Sequence, residues 1–167
     1  MKRIGLIIGI LIFLTSISSC GRKNDVSPIP KIWYKSFFLR DTVDALGNNV
    51  KLGILTLDFL DGDGDIGLPE PNENDPPELQ HNLFLTGYYL NDENEIVAMP
   101  QTDPNSTLKF RIPDFSDQVL GEPYEGSIRV EVSFFEFAYT AILYEFYVTD
   151  RAKNQSNIET TGVYQMQ

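Results

Sequence analysis

"SIRVEVSF", residues 127–134, sets Ile128, Val130, Val132 and Phe134 at alternate positions, with Arg129, Glu131 and Ser133 between them. Successive side chains of a strand point to opposite faces, so this spacing makes one face apolar and the other wet. That is the period of a half-buried strand and not of a helix. Past Phe134 the phase slips, because Phe135, Phe137 and Tyr139 form the next apolar set. Such a slip predicts a β-bulge or a strand crossing between sheets near Phe134.

The same period recurs on both sides. "KIWYKSFFL", "VKLGILTLDFL", "NLFLTGYYL", "EIVAM", "TLKFRI", "ILYEFYVTD" and "IETTGVYQM" are separated by stretches rich in Gly, Pro, Asn and Asp. In "LKFRI", Leu108, Phe110 and Ile112 share the inward face. Seven or eight short antiparallel strands and no convincing helical stretch predict an all-β sandwich or barrel, with the domain over residues 31–167. Some 150 residues with 12% aromatic side chains are enough for one core and too apolar for disorder. No internal repeat is visible.

The N-terminus reads as an export signal. "MKR" is a short basic region, and "IGLIIGILIFL" is an apolar run well short of the ~20 residues a membrane-spanning helix needs. Small residues then lead to Cys20, the only cysteine of the chain, and "SISSC" resembles a bacterial lipobox. Residues 1–19 are therefore expected to be a lipoprotein signal peptide, and Cys20 the lipidated first residue of the mature chain. Several acyl chains on one cysteine, at about 0.8 kcal/mol per buried methylene, hold a protein on a membrane without a span. Residues 20–30 are polar and proline-containing, and read as a tether. The predicted location is the cell envelope, most readily the outer membrane, with the periplasmic or surface side left open.

Removing residues 1–19 leaves 11 basic against 24 acidic side chains, a formal charge of −13. A surface of that sign repels phosphate backbones, so nucleic acid is not an expected partner.

The densest chemistry is "DGDGDIG", residues 61–67. Asp61, Asp63 and Asp65 take the first, third and fifth places of a calcium-loop pattern, but Ile66 stands where an EF-hand has glycine, and Asn72 where it has glutamate. An EF-hand is therefore excluded. A non-helical calcium loop stays open, with Asp58 and Glu70 as further ligands. Glu73, Asp75 and Glu78 follow, and no Lys or Arg occurs from Leu52 to Leu108. Two carboxylates ~6 Å apart repel by ~0.7 kcal/mol in water and nearer ~3 kcal/mol at an effective dielectric of ~20. Several held in one turn call for solvent or a cation. Glycines at 62, 64 and 67 permit the positive φ that bends a backbone around an ion. The competing reading is a solvated turn whose aspartates cap backbone amides, or one neutralised by Lys109, Arg129 or Arg151 from another strand. Irregular oxygen ligands suit calcium better than magnesium, and with His81 as the only histidine zinc is not expected.

No catalytic constellation emerges. His81 has no nucleophile-elbow pattern to serve, and no glycine-rich phosphate loop precedes a helix. The expected function is a non-catalytic binding or accessory module that meets a protein or glycan partner. The alternative is a structural subunit of a larger outer-membrane assembly, and a glycan-active enzyme ranks behind both. An exposed aromatic patch, drawn from Trp33, Tyr34, Tyr88 or Tyr89, would favour the binding module. "DTV", residues 41–43, looks like a short O-glycosylation pattern with Thr42 as acceptor.

"YEFYVTDRAKNQSN", residues 144–157, resembles the penultimate strand and following turn of immunoglobulin-like domains of secreted bacterial proteins. Asp150, Ala152, Asn154 and Ser156 fit, and Lys153 stands where glycine is usual. Asp150 is accordingly read as structural. Taken with the lipobox, "FLDGDGDIG", "NLFLTGYYL", "FRIPD" and "EGSIRVEV", the chain resembles a family of small lipoproteins of the Bacteroidota. The resemblance implies an envelope location and an immunoglobulin-like sandwich, and no activity.

Overall fold

The structure is a computed structural model that describes residues 26–76, 79–115, 119–135 and 139–166. The signal segment, Cys20, most of the expected tether, Glu78 and Phe137 lie outside the described residues. The elements in chain order are β1 (Lys31–Val43), β2 (Asn49–Asp61), β3 (Leu83–Leu90), β4 (Ile96–Ala98), β5 (Thr107–Phe110), β6 (Tyr124–Phe134), β7 (Ala141–Val148), β8 (Glu159–Thr160) and β9 (Tyr164–Gln165). Among the described residues there is no α-helix, and the chain forms an all-β sandwich.

One sheet has the order β1-β2-β6, with β2 central. The other is built on the pair β3-β7, and each of its edges is made of two short strands. β4 and β5 pair with opposite ends of β3, and β8 and β9 with opposite ends of β7. Every pairing between these strands is antiparallel. Short edges offer little template for another chain to pair with.

The alternation read in the sequence is realised side chain by side chain. Ile128, Val132 and Phe134 of β6 are buried, while Arg129, Glu131 and Ser133 are exposed or half-exposed. Leu55, Leu57 and Phe59 of β2 meet Leu83 and Leu85 of β3 and Ile142, Tyr144, Phe146 and Val148 of β7 in one core between the sheets. Each such side chain contributes roughly 1.5–3 kcal/mol by leaving water.

Three details differ from expectation. The phase slip at Phe134 is the end of β6, with Phe135 turned out to solvent, and not a bulge within a longer strand. The register shift occurs instead in β1, between Tyr34 and Ser36. The last predicted strand is two, β8 and β9, because Thr161 turns inward and Gly162 adopts φ +73° between them. The expected tether also ends early: Pro30 is buried, and the carbonyl of Ser27 lies so close to Gly62 that a Cβ there would sit 2.2 Å from it.

Candidate metal centre

β2 carries its inward face past the end of the hydrophobic row. Leu55, Leu57 and Phe59 point into the core, and two residues on the same side chain position falls to Asp61, which is fully buried. The alternation that hides the leucines thus hides a carboxylate. The chain then turns sharply. Gly64 takes φ +64°, and a Cβ there would lie 2.5 Å from the carbonyl of Glu122. The Asp65 N–H donates to Asp61 Oδ2 at 2.7 Å, and the Gly121 N–H donates to the carbonyl of Asp63 at 2.6 Å.

The opposite wall comes from the turn after β7. The Arg151 N–H donates to the carbonyl of Asp65 at 3.2 Å, which holds Asp150 against the loop. Asp150 is buried and accepts from the Asn154 backbone N–H and from Asn154 Nδ2, both at 2.7 Å. A buried Asn82 ties the two walls to the body. Its Nδ2 donates to the carbonyl of Ile66 at 2.7 Å, its Oδ1 accepts from the Ile112 N–H at 2.7 Å, and its carbonyl accepts from the Thr149 N–H at 2.9 Å.

As a result Asp61, Asp65 and Asp150 each bring a carboxylate oxygen to within 4.8 Å of the other two. Calcium holds oxygens at about 2.3–2.6 Å, so atoms up to about twice that distance apart can share one ion. Asp61 Oδ1, Asp63 Oδ1 and Asp65 Oδ1 are buried with no hydrogen-bond partner in the protein. Buried polar atoms are almost always paired, and three orphaned carboxylate oxygens in one turn are a strong departure from that rule.

The electrostatics agree with the geometry. Burial first, then the charges of Asp63 and Asp65, push the Asp61 carboxyl up to about 7. Burial first, then Asp150 and Asp63, push Asp65 up to about 6, with Arg151 opposing weakly. The cations considered as neutralising partners of the loop have other partners or positions. Arg151 donates through Nε to the carbonyl of Gly67 at 2.5 Å and ion-pairs with Asp114. Arg129 pairs with Glu131 at 2.7 Å, and Lys109 stands on the outer face of the other sheet.

Two expected ligands fall away. Asp58 is on the opposite face of β2 from Asp61, where it pairs with Lys35 at 2.9 Å and accepts from Ser127. Glu70 is exposed beyond Leu68 and lies outside the cluster. Asp150, read from the sequence as structural rather than catalytic, joins Asp61 and Asp65 instead. Of the three glycines expected at positive φ, only Gly64 adopts it. Gly62 is needed for the close approach of Ser27.

The other sequence candidates are scattered. Thr42 is half-buried in β1, paired with Val50. Trp33 is exposed beneath Lys31, Tyr34 shares a hydrogen bond with Tyr164, Tyr88 donates to Glu145, and Tyr89 stacks on Tyr139. They engage four different partners and form no common patch. Cys20 lies outside the described residues.

Comparison with known proteins is silent: no family model, no curated protein and no solved structure matches the chain. The site must be read from its own chemistry. It offers hard carboxylate oxygens without imidazole or thiolate, in an irregular turn, which fits calcium better than zinc or the near-octahedral demand of magnesium.

Proposed function

We propose that the protein is a lipid-anchored, non-catalytic binding module of the cell envelope, an immunoglobulin-like sandwich clasped by a calcium ion. The observation that carries the reading is the convergence of Asp61, Asp65 and Asp150, with Asp63 beside them, around carboxylate oxygens that have no partner in the protein. An ion there joins the end of β2 to the turn after β7, and so fastens one sheet to the other at one end of the core. Anchoring through Cys20 is supported by the lipobox, and among the described residues no helix is long and apolar enough to cross a membrane.

The test is calorimetric titration of calcium into the chelated full chain in detergent, with the melting temperature recorded. Saturable binding that raises the melting temperature is expected, since a ligand that binds only the folded state stabilises it by linkage. Asp150→Asn should weaken binding at least tenfold, and Asp58→Asn should leave it unchanged. A flat titration, with Asp150→Asn as stable as the parent chain, would overturn the reading.

A further inference from the structure

A second feature lies on the solvent face of the β3-β7 sheet and involves none of the carboxylates above. Register sets Lys109 of β5 opposite Phe84 of β3, and Phe84 opposite Tyr147 of β7, so the three form a row across the sheet. Their neighbours Leu83, Leu85, Phe146 and Val148 point into the core, so this row points outward. The Phe84 and Tyr147 rings stack with centroids 5.1 Å apart and planes 21° from parallel. Both are half-buried, and they floor a groove of about 410 Å³ that is also lined by His81, Lys153 and Gln155.

The charge of this groove is opposite to that of the molecule. The chain carries −11 overall, and among the described residues four cations are spent on close acids: Lys35 on Asp58, Lys51 on Asp41, Arg129 on Glu131 and Arg151 on Asp114. Lys109 and Lys153 are both exposed, and neither pairs with a carboxylate among the described residues. Lys153 is also one of two non-glycine residues with positive φ among the described residues, at +69°. Its N–H donates to the carbonyl of Asp150 at 3.1 Å. A left-handed backbone strains a lysine where glycine would sit freely, and such outliers cluster at sites of function.

An aromatic floor with cations at its rim recognises a flat, partly apolar ring that bears an anionic substituent. The C–H face of a pyranose ring covers an aromatic pair, and a carboxylate or sulfate group on it accepts from ammonium donors. The hydroxyls are left for His81 and Gln155. A nucleic acid would meet the same lysines, but its further phosphates would lie over a strongly acidic surface. We infer that the groove over Phe84 and Tyr147 binds an acidic saccharide, a uronate or sulfated sugar stacked on the two rings with its anionic group held by Lys109 and Lys153. This deepens the binding-module reading and rests on it, but it does not depend on the ion.

The experiment is titration of the calcium-saturated full chain with a hyaluronan octasaccharide, a chondroitin sulfate octasaccharide, an uncharged tetramer of N-acetylglucosamine and a 20-nucleotide single-stranded DNA. At least one acidic saccharide should bind saturably, and which of the two binds tells carboxylate from sulfate. The double variant Lys109→Gln, Lys153→Gln and the single variant Tyr147→Ala should each weaken that binding at least tenfold. The lysine variants should melt with the parent chain, because both side chains are exposed. Failure of both acidic saccharides to bind, equal binding of the neutral tetramer or the DNA, or indifference to Tyr147→Ala would each overturn the inference. Calcium titration of the same sample separates the two ideas: an ion effect without saccharide binding rejects the groove and leaves the clasp standing.

Discussion

Asp61 is a carboxylate in a place that selects for leucine, and its protonation should govern how the ion-free protein responds to pH. Its folded pKa is about 7, raised from the ordinary value of 3.8. Between those values the folded chain holds a proton that the unfolded chain has released. The stability that proton confers is complete below about pH 4 and is lost as pH rises through 7. The chelated protein should therefore melt at a lower temperature at pH 8 than at pH 5, with a slope of at most ~1.4 kcal/mol per pH unit for one proton. Asp65, raised to about 6, adds to the same window. Asp61→Asn should flatten the profile, and saturating calcium should abolish or invert it, because the ion takes the deprotonated form. A profile of Asp61→Asn as steep as that of the parent would refute this assignment. At this scale the sequence was partly legible. The alternation of Asp and Gly pointed to residues 61–65, and parity along "LTLDFLD" already sets Asp58 on the face opposite Leu55, Leu57 and Phe59. Asp150 could not be found that way, because nothing local distinguishes a turn aspartate that caps Asn154 from one that also faces a loop far earlier in the chain.

The carboxylate loop is held as an element by one asparagine as well as by its own turn. Asn82 links Ile66, Ile112 and Thr149, and it works beside two backbone bonds at the end of the loop, in which the Leu68 N–H donates to the Ile112 carbonyl and the Asp114 N–H to the Leu68 carbonyl, both at 2.9 Å. Asn82→Ala orphans the buried carbonyl of Ile66 and the buried N–H of Ile112. At about 1–3 kcal/mol for each of the two groups left unsatisfied, the loss should be roughly 2–6 kcal/mol of stability. Thermal or denaturant unfolding measures it, and calcium affinity should fall as well, since the loop carries Asp61 and Asp65. A loss under about 1 kcal/mol with calcium binding intact would mean that the loop holds itself. Strand existence was legible from period two, as "SIRVEVSF" shows, but strand ends were not. Phe135 continued the apolar run while the chain had already left the sheet, and "IETTGVYQM" hid the break at Gly162. The Phe84 and Tyr147 pair was invisible for a related reason. Both lie in strands whose aromatic content reads as core, and only the register of β3 on β7 sets the two rings side by side on the wet face.

On the scale of the whole molecule, the two sheets are joined by the core and by bonds at the margin. Asn157, which precedes β8, accepts from the Ile32 N–H and donates to the Ile32 carbonyl, both at 2.9 Å, so the C-terminal segment of one sheet caps the edge of the other. The end of β2 and the turn after β7 form a second junction, where the Arg151 N–H donates to the Asp65 carbonyl and the carboxylates of Asp61, Asp65 and Asp150 converge. Beside it, the carbonyl of Ser27 presses on Gly62. That contact fixes where a mechanical load would enter. Cys20 is seven residues upstream of Ser27, a span of at most about 25 Å when fully drawn out. A pull on the N-terminal segment, of the kind a partner on the far side would exert against a lipid anchor, is therefore delivered first to the loop that carries Asp61, Asp63 and Asp65. In single-molecule extension from the N-terminus, calcium should raise the force of the first rupture, and Asp150→Asn should remove the increment. An increment that survives Asp150→Asn would route the load elsewhere. The ion would then be a mechanical fastener set at the point of attachment, keeping the domain shut while it is under tension.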